Sequence, residues 1–554
     1  MTRMQIEGMT CEGCAGSVAD ALAGAGAEAP RVDVEAGEAR FDAPGASADA
    51  LRAAVEAAGY RVVAIDDVPA PDYVPAPDAG PVHRRGPSRS SAPELVVIGS
   101  GGAAFAAAIR ARDLGAEVAM CEAATIGGTC VNIGCVPSKA LLAAASARQV
   151  AAHHPFPGIT TTAGPVDLAA LVAGKDDLVD QLRFDKYEHL AEEYGFSLLC
   201  GRGSFTGADR FVCDGEEVAA GQFLVATGAS PAIPPIPGLA EAGYLTSTTA
   251  FELRELPSSL VVVGANAIGL EVGQLFLELG TSVTFLEAAI RIAPLDEPEI
   301  SAALTEVLRA QGAEVHTSAS VTGVERRGMR RVVKASVGGS ELQVEADQVL
   351  VATGRRPSTV GLGLEAAGVG IGERGEVVVD EFCGTSNPRI WAAGDVTGAP
   401  QFVYVAAAQG ALAADNAIAK LGRTIDWTGL PKVTFTTPQI ASVGLTEEEA
   451  TSAGHRVESR VLPLDSVPRA LVERDTAGLC KIVAEEGQGK ILGVHLLARG
   501  AGEVILAATY AIKANMTVTQ LAETWAPYLT MAEALKLTAQ TFTRDVSRLS
   551  CCAA

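Results

Sequence analysis

Runs of apolar residues that end in glycine recur twice in the chain and predict its central architecture. In ELVVIG, at 94–99, four apolar residues precede a glycine and an Ala-rich segment, and LVVVGANAIG at 260–269 repeats that order. A short, continuous apolar run bounded by glycine is typical of a strand buried on both faces, as in a parallel sheet covered by helices. The pattern predicts two Rossmann-like, dinucleotide-binding lobes of the α/β class.

The first 68 residues follow a different pattern. A strand-like MTRMQIEG is followed by the helical AGSVADALAGA, a hairpin with its turn at Gly37, a second helix that stops at Gly59, and the strand RVVAID. Glycine commonly ends a helix because it adopts the left-handed conformation without strain. The element order predicts a βαββαβ, ferredoxin-like domain over residues 1–68.

A segment rich in proline, glycine and serine separates this domain from the rest of the chain. Residues 69–93 show no apolar period, which is typical of an extended linker. Beyond it we expect the first lobe at 94–253 and 357–428, with the second lobe inserted at 254–356. Residues 429–554 mix strands with long helices, and this mixture predicts an α+β domain that forms an interface.

Composition and charge exclude several classes of partner. The 554 residues include 43 Lys and Arg against 66 Asp and Glu, a net charge of −23, and so acidic a surface repels nucleic acid. No uninterrupted apolar run reaches the roughly 20 residues of a membrane span, and the first residues lack a signal-peptide pattern. We therefore expect a cytoplasmic protein without stable membrane insertion.

The 11 cysteines are too many to serve as structural disulfides in a reducing compartment, and they point to redox or metal chemistry. Six of them form three close pairs: Cys11 with Cys14, Cys130 with Cys135, and Cys551 with Cys552. We expect the other five to be small, buried hydrophobic residues: Cys121, Cys200, Cys213, Cys383 and Cys480.

The first glycine-rich turn runs from Gly99 through Gly101 to Ala104, directly after an apolar strand. Small residues at these positions let the backbone approach a pyrophosphate at the start of a helix. Glu122 ends the next strand, VAMCE, where an acid can accept hydrogen bonds from ribose hydroxyls. The turn alone is a weak signal, and its flanking strand, helix and acid together predict dinucleotide binding.

The second glycine-rich turn, from Gly264 to Gly269, has the same surroundings. Glu287 ends the strand that follows, and an acid at this place favours the 2′-hydroxyl of NADH over the 2′-phosphate of NADPH. Arg291 follows four residues later and is a cation that can offset that preference. By charge alone the residues lean towards NADH, but they do not fix the choice between the two coenzymes.

The segment GGTCVNIGCVPSKALL, at 127–142, carries two thiols separated by four residues. Cys130 and Cys135 lie at the start of an Ala- and Leu-rich helix, with Lys139 one turn further on. A helix N-terminus and a nearby cation both favour the thiolate over the thiol. The segment predicts a redox-active cysteine pair.

This segment resembles the redox centre of the FAD-dependent pyridine nucleotide-disulfide oxidoreductases. VATGAS at 225–230, VATGRRP at 351–357 and WAAGDVTG at 391–398 are similar to other signatures of that family, and the resemblance covers about 94–554. It implies FAD in the first lobe and NADPH, with NADH as the alternative, in the second. It also implies a homodimer in which the C-terminal domain of one chain completes the active site of the other.

The same resemblance implies roles for individual residues. Cys130 would be the interchange thiol, Cys135 would lie against the flavin, and Glu271 would pair with Lys139 near the isoalloxazine. The flavin would be lined by seven residues: Ala104, Glu122, Thr129, Lys139, Ala229, Asp395 and Val403.

Two tyrosines and the chain end distinguish branches of the family. Disulfide reductases carry an acid/base histidine near the C-terminus, and here Tyr528 takes that position while the partner acid, Glu533, is kept. Tyrosine, with an ordinary pKa near 10, is a poor proton shuttle at neutral pH. Tyr528, Tyr187 and the terminal Cys551–Cys552 pair together resemble the mercuric reductases, a branch of the family. A regulatory redox pair, as in selenium-free thioredoxin reductases, is the alternative for the chain end.

The remaining pair, Cys11 and Cys14, lies in GMTCEGC and resembles the loop of heavy-metal-associated domains. Two sulfur ligands without a third suit Cu(I) or Hg(II), whereas Zn(II) prefers four ligands. A thioredoxin-like redox role fits the element order less well. The thiol pairs would then bind mercury as metal ligands at Cys11, Cys14, Cys130, Cys135, Cys551 and Cys552.

These resemblances imply an enzyme that reduces thiol-bound Hg(II) to Hg(0) with electrons from NAD(P)H. Two alternatives stay open: a dihydrolipoamide dehydrogenase-like disulfide oxidoreductase with a fused metal-binding domain, and a copper- or soft-metal-handling protein. The first predicts a histidine where Tyr528 stands, and the second predicts loss of the redox cysteines or flavin motifs.

Overall fold

The computed structural model describes residues 2–7, 18–19, 21–33, 38–42, 47–58, 60–67 and 92–545. They fall into two compact units, one before and one after the gap at 68–91. Several features predicted above lie outside the described residues: the turn at Gly37, the helix stop at Gly59, residues 69–91 of the expected linker, and the cysteines Cys11, Cys14, Cys551 and Cys552.

The N-terminal unit has the predicted βαββαβ order. Its antiparallel sheet contains, from edge to edge, the strands Glu28–Asp33, Glu38–Asp42, Thr2–Glu7 and Arg61–Asp67. Residues 18–19 and 21–24 are helical, and the helix Ala48–Ala57 begins after Ser47, whose hydroxyl accepts a hydrogen bond from the N–H of Ala50. Its apolar face closes a core shared with the strands: Met4, Ile6, Val18, Leu22, Ala27, Ala39, Phe41, Leu51, Val55 and Val62.

The first lobe of the larger unit contains a parallel sheet whose strands come from two separate segments of the chain. The strand order is Ile390–Ala392, Gln222–Val225, Leu95–Ile98, Val118–Glu122 and Ser197–Cys200. Its helices are Gly102–Asp113, Gly128–Asn132, Cys135–Ala152, Leu168–Arg183, the π-helix Phe184–Glu188, His189–Glu193, the 3-10 helix Asp395–Thr397 and Val403–Ala419. An antiparallel sheet of Gly203–Gly207, Arg210–Cys213 and Glu216–Val218 packs beside it. The strand Ile390–Ala392 joins the sheet only after the second lobe has been completed.

The second lobe repeats the design on a smaller scale. Four parallel strands lie in the order Glu314–His316, Ser282–Leu286, Ser259–Val263 and Gln348–Val351. An antiparallel sheet adds Ala319–Arg327, Arg330–Val337 and Ser340–Ala346, and the main helices are Ala267–Leu279 and Pro298–Ala310. The short helices Leu239–Ala242 and Ser247–Ala250, which lie within the range expected for the first lobe, pack in cores of the second lobe. The short strands Ala229–Pro231 and Arg355–Pro357 pair where the chain leaves and re-enters the first lobe.

The C-terminal domain is α+β, as predicted. Its antiparallel sheet has the order Pro431–Thr434, Gln439–Gly444, Ile491–Ala498, Leu479–Glu485 and Val457–Pro463. The helices are Glu447–Ser452, the 3-10 helix Leu464–Ser466, Pro468–Glu473, Ala501–Lys513, Val518–Glu523 and Glu533–Gln540. The predicted fold class is confirmed for the whole described chain.

A buried cation fastens the second lobe to the C-terminal domain. The ammonium of Lys481, on the C-terminal sheet, lies 3.0 Å from Glu297, 2.9 Å from Glu299 and 2.9 Å from Glu447. The side chain of Lys481 is only 2% exposed, so these carboxylates replace the water it loses on folding. Removal of one partner from such a buried pair costs roughly 3–5 kcal/mol. This contact holds the two regions in a defined relative position.

One helical segment among the described residues, Gly128–Ala152, is long and apolar enough to cross a membrane by length and composition alone. A single such segment is weak support for a span, because core helices of globular proteins pass the same test. Here Leu141 and Ala145 pack in one core with Leu270 and Leu275 of the second lobe. The segment also carries the predicted redox cysteines.

Candidate functional site

A tight reversal places the two redox cysteines at adjoining helix ends. Cys130 lies in the helix Gly128–Asn132, and Cys135 is the first residue of Cys135–Ala152. Both are free thiols, with Cys130 half-buried and Cys135 exposed. Between them a Cβ on Gly134 would stand 2.9 Å from the carbonyl oxygen of Thr129, so the reversal requires glycine. The geometry sets Cys135 at the positive end of an 18-residue helix.

The two thiols differ strongly in acidity. A hydrogen bond from the Cys130 thiol lowers the pKa of Cys135 to about 7, with Lys139 adding to the effect while burial and Glu271 oppose it. The same hydrogen bond, together with burial, raises the pKa of Cys130 well above its usual range. Cys135 is therefore the sulfur that carries negative charge near neutral pH, and Cys130 is its proton-holding partner.

Lys139 is fixed by two contacts from outside its helix. Its Nζ lies 2.7 Å from Oε2 of Glu271, on the helix Ala267–Leu279, and 4.4 Å from the ring centre of Phe435. The other carboxylate oxygen of Glu271 accepts a hydrogen bond from the Phe435 N–H at 2.8 Å. The expected Lys139–Glu271 pair is present, and it ties the thiols to the second lobe and the C-terminal domain.

The first glycine-rich turn leaves a space, called the FAD cradle below, that side chains would fill if its glycines were replaced. A Cβ on Gly99, which has φ +108°, would meet the carbonyl oxygen of Ala226 at 2.5 Å, and a Cβ on Gly128 would meet the Cα of Gly101 at 2.6 Å. Gly101 caps the helix Gly102–Asp113, so backbone N–H groups at a positive helix end border this space. These features fit the pyrophosphate of FAD.

Hydrogen bonds hold the acid beside this cradle. Oε2 of Glu122 accepts a hydrogen bond from the hydroxyl of Ser100 at 2.5 Å, and Oε1 accepts one from the N–H of Ala124 at 2.7 Å. The Ser100 oxygen in turn accepts a hydrogen bond from the N–H of Gly127 at 3.1 Å. The turn, the acid and the segment that carries Cys130 are thus connected through one serine.

Other residues expected at the flavin belong to the same lobe. Ala104 is buried in the helix Gly102–Asp113, and Thr129 precedes Cys130. Ala229 lies where the chain leaves the lobe, while Val403 begins the last helix of the lobe, and its Cγ2 would be 3.1 Å from a Cβ on Gly102. Asp395 begins a 3-10 helix, and burial raises the pKa of its carboxyl although Arg355 opposes the effect.

The second glycine-rich turn is tighter than the first. A Cβ on Gly264 would lie 2.6 Å from the carbonyl oxygen of Ala352, and a Cβ on Gly269 would lie 1.9 Å from the carbonyl oxygen of Gly264. Glu287 is buried, and its oxygens accept the N–H groups of Ala265 at 2.6 Å and Ala289 at 2.8 Å. This arrangement at the start of the helix Ala267–Leu279 fits a second dinucleotide.

Arg291 is held within its own loop. Its guanidinium donates hydrogen bonds to the carbonyl oxygens of Pro294 at 3.0 Å and Asp296 at 3.4 Å. Its Nε is buried and has no hydrogen-bond partner among the described residues. Arg291 follows Glu287 by four residues in the chain, and the contacts that fix its guanidinium are those with the backbone carbonyls of its own loop.

The two tyrosines have different surroundings in the chain. Tyr187 lies in the π-helix Phe184–Glu188, with its ring 4.8 Å from that of Phe105, and burial raises the pKa of its hydroxyl, to which Cys130 and Cys135 also contribute. Tyr528 is 48% exposed in the turn before the helix Glu533–Gln540. The structure therefore brings Tyr187 to the thiols and leaves Tyr528 on a surface of the C-terminal domain.

The site also contains three residues that were not predicted from the sequence: Arg355, Ser100 and Phe435. Arg355 stands 4.0 Å from Asp395, and burial lowers the pKa of its guanidinium, an effect that Asp395 and Cys135 oppose. The sequence offered a signal for Arg355, which lies within VATGRRP at 351–357, and for Ser100, which lies within the first turn. Phe435 has no motif around it.

The scattered cysteines divide into two groups. Cys121, Cys213, Cys383 and Cys480 are buried, as expected. Cys200 is exposed, so the expectation of burial was wrong for this residue, because it ends the edge strand Ser197–Cys200 of the parallel sheet. Cys11, Cys14, Cys551 and Cys552 lie outside the described residues, and their metal-binding role stays a prediction.

Three family models match the N-terminal unit, the two lobes and the C-terminal domain of the chain. Residues 93–410 match the pyridine nucleotide-disulphide oxidoreductase family, and residues 430–539 match the dimerisation domain of the same family. Residues 3–61 match the heavy-metal-associated domain. The larger family model alone covers more than half of the 554 residues.

Curated relatives match over almost the full length. The chain is 47% identical over 551 residues to the mercuric reductase of Staphylococcus aureus, covering 100% of this chain and 99% of the relative. It is 56% identical over 466 residues to that of Streptomyces lividans, covering 83% and 98%, and 43% identical over 571 residues to that of Shigella flexneri, covering 100% of both.

Solved structures match about four-fifths of the chain. A Cu(II) complex of the HOCl-induced flavoprotein disulfide reductase RclA from Escherichia coli is 29% identical with a TM-score of 0.74, covering 82% of this chain and 100% of that structure. LpdA from Mycobacterium tuberculosis is 28% identical with a TM-score of 0.72, covering 81% and 100%.

Proposed function

The chain belongs to the pyridine nucleotide-disulphide oxidoreductase family and, within it, to the mercuric reductases, and on that premise we propose that it reduces thiolate-bound Hg(II) to Hg(0) with NADPH as electron donor. The observation that carries the proposal is the thiol pair at 130 and 135, in which one sulfur has a pKa of about 7 and Tyr187 stands beside both. Two such sulfurs suit a soft cation.

The glycine-rich turns of the two lobes support a place for one dinucleotide in each lobe. FAD, when bound in the first lobe, supplies the chemistry that accepts hydride from the nicotinamide and passes two electrons to the thiol pair or its bound ion. Gly99, Gly101 and Glu122 would hold its pyrophosphate and ribose, and Lys139, set by Glu271, would place a cation near its ring. Gly264 and Gly269 would hold NADPH in the second lobe.

Mercury would move along the thiol pairs by exchange of one sulfur for another. Cys11 and Cys14 would collect the ion, Cys551 and Cys552 of the partner subunit would receive it, and the pair at 130 and 135 would bind it for reduction. Each transfer forms one mercury–sulfur bond as another breaks, so the ion is never released to cellular thiols. The bound Hg(II) finally accepts two electrons and leaves as Hg(0), while both sulfurs stay as thiolates.

The dimerisation domain supports a homodimer, and we propose that its active site is shared between the chains. Tyr528 is exposed in one chain, which suits a residue that meets the partner's thiol pair across an interface. Tyr187 and Tyr528 would then orient the ion from opposite sides. The expected location is the cytoplasm, where mercury arrives as a complex with small thiols.

The deciding experiment measures NADPH oxidation by the FAD-loaded full chain with Hg(II) in excess small thiol, with lipoamide, and with glutathione disulfide. We expect turnover with mercury and release of Hg(0), loss of both in Cys135→Ala, and no loss in the matched variant Cys383→Ser, a buried cysteine outside the site. Turnover with the disulfides alone would overturn the proposal.

A second comparison tests the route. Cys551→Ala combined with Cys552→Ala should slow turnover of thiol-complexed mercury at least tenfold while NADPH still reduces the flavin. Unchanged turnover in that double variant would remove the chain end from the route.

A further inference from the structure

Two buried cysteines outside the proposed mercury route lie in contact within the first lobe. Cys121 belongs to the parallel strand Val118–Glu122, and Cys213 ends the antiparallel strand Arg210–Cys213. Their Sγ atoms are 3.0 Å apart although the residues are 92 positions apart in the chain. The exposed fractions are 2% and 6%. Nothing in the activity proposed above uses them.

A glycine and a cluster of aromatic rings pack around the two sulfurs and keep them in contact. The strand Gly203–Gly207 passes Cys121 at Gly203. A Cβ on Gly203 would stand 3.0 Å from the Cys121 sulfur and 2.3 Å from the ring of Phe211. The Phe211 ring packs against Phe205 at 5.1 Å and Phe223 at 5.6 Å, which closes an apolar cluster around the pair. Any larger residue at 203 would hold the two sheets apart.

We propose that Cys121 and Cys213 form a second redox-active dithiol, which a peroxide oxidises to a disulfide that links the three-stranded sheet to the parallel sheet of the first lobe. A disulfide needs its sulfurs about 2.05 Å apart, so the pair must close by only about 1 Å. A soft ion bound between two sulfurs in line would instead force them further apart. The geometry therefore favours a disulfide over a metal site.

The direction of the hydrogen bond assigns the order of the chemical steps. The Cys121 thiol donates to the Cys213 sulfur, and burial raises the pKa of Cys121, so Cys121 keeps its proton. The Cys213 sulfur attacks the peroxide, forms an S–O bond as the O–O bond breaks, and loses its proton to the departing hydroxide. The Cys121 sulfur then attacks Cys213, the S–O bond breaks, and its proton leaves with that oxygen as water.

The reaction balances as two thiols and one hydrogen peroxide giving one disulfide and two waters. Two electrons pass from the sulfurs to the peroxide oxygens. The product would close a loop of about 92 residues in the first lobe, and the entropy of the unfolded chain falls more for longer loops. Cys121 also adjoins Glu122, which holds Ser100 at the glycine-rich turn, so the cross-link would stabilise the end of the strand that borders the FAD cradle.

The test treats the FAD-loaded full chain with hydrogen peroxide, blocks the remaining thiols and digests it with trypsin and a glutamate-specific protease. We expect the peptide VAMCE, at 118–122, to be disulfide-linked to FVCDGE, at 211–216. We also expect the midpoint temperature of flavin release to rise by about 3 °C or more and to return on treatment with a dithiol reductant.

Matched variants separate this pair from the other thiols. Cys213→Ser should lose both the linked peptide and the temperature shift, and Cys383→Ser, a buried cysteine of the same lobe, should keep both. The proposal is overturned if the wild-type chain yields no linked peptide, or if VAMCE is linked instead to YGFSLLCGR at 194–202, which contains the exposed Cys200. A link without a temperature shift would overturn the stabilising role.

Discussion

Lys139 Nζ lies 2.7 Å from Glu271 Oε2, and this ion pair joins the helix that begins at Cys135 to the helix Ala267–Leu279 of the second lobe. The two residues act on the Cys135 thiol with opposite sign, since the cation lowers the pKa of that thiol and the carboxylate raises it. The pair therefore adjusts the pKa of the redox sulfur, which the hydrogen bond from Cys130 lowers most, and it also fixes the position of the lysine.

Opposite shifts are expected when either member of the ion pair is neutralised. Lys139→Met should raise the pKa of Cys135 by about 1, because the thiolate loses a neighbouring cation, and Glu271→Gln should lower it, because the thiolate loses a neighbouring anion. The rate of alkylation of the reduced enzyme against pH measures both shifts. Arg148→Met, further along the same helix, is the control and should leave the profile unchanged. Shifts of the same sign in both variants would contradict this account.

Tyr187→Phe should lower mercury turnover about tenfold while the fold is retained. The ring keeps its contact with Phe105, so only the hydroxyl beside the thiols is lost. Tyr194→Phe, whose ring stacks on Phe196 in the same lobe, is the matched control and should keep full activity. NADPH oxidation with thiol-complexed Hg(II) and thermal unfolding measure the two properties. Equal activity of the two variants would mean that the Tyr187 hydroxyl has no part in the reaction.

Arg291→Met should lower the preference for NADPH over NADH. The guanidinium is the cation expected to offset Glu287, which is buried and fixed by the N–H groups of Ala265 and Ala289. We expect the ratio of kcat/KM for NADPH to that for NADH to fall about tenfold, as the loss of one charged contact to a phosphate would produce. Arg309→Met, on the helix Pro298–Ala310, is the control. An equal fall for both coenzymes would indicate that Arg291 only holds its loop.

Glu278→Gln should stabilise the protein in alkaline solution. Burial raises the pKa of Glu278 to about 7, although Thr437 opposes the effect, against an ordinary value of 4.5. Between these values the folded chain keeps a proton that the unfolded chain has lost, so wild-type stability falls as the pH rises through this window. Glutamine removes this loss of stability, which amounts to about 3 kcal/mol above pH 7 because each unit of pKa corresponds to about 1.4 kcal/mol.

Urea unfolding at pH 4.5 and pH 8 measures the difference. The variant should match the wild type at the lower pH, where the native carboxyl is neutral, and exceed it at the higher pH. Glu306→Gln, on an exposed face of the helix Pro298–Ala310, should show no such divergence. A glutamine variant whose advantage is the same at both pH values would mean that the ionisation of Glu278 is not the cause.

The chain's local patterns determined the features that depend on neighbours in sequence. The glycine-rich turns, the thiol pair at a helix start and the βαββαβ order each need only a few adjacent residues, because turn geometry and helix ends are short-range properties. The motif at 351–357 contained Arg355, but nothing in the sequence said that it would face Asp395, some 40 residues later. The pairing of Lys139 with Glu271 came from a resemblance, since 132 residues separate them.

Tertiary structure alone decided the contacts between distant segments. Tyr187 lies near the thiols because a π-helix places its ring against Gly127. Cys121 contacts Cys213 because Gly203, which has no side chain, lets the three-stranded sheet approach the parallel sheet. Such contacts depend on the packing of whole elements, and no periodicity along the chain encodes which side chains will meet. The amino-acid order therefore determined the chemistry available to this protein, and the packing of its lobes decided which of those groups stand together.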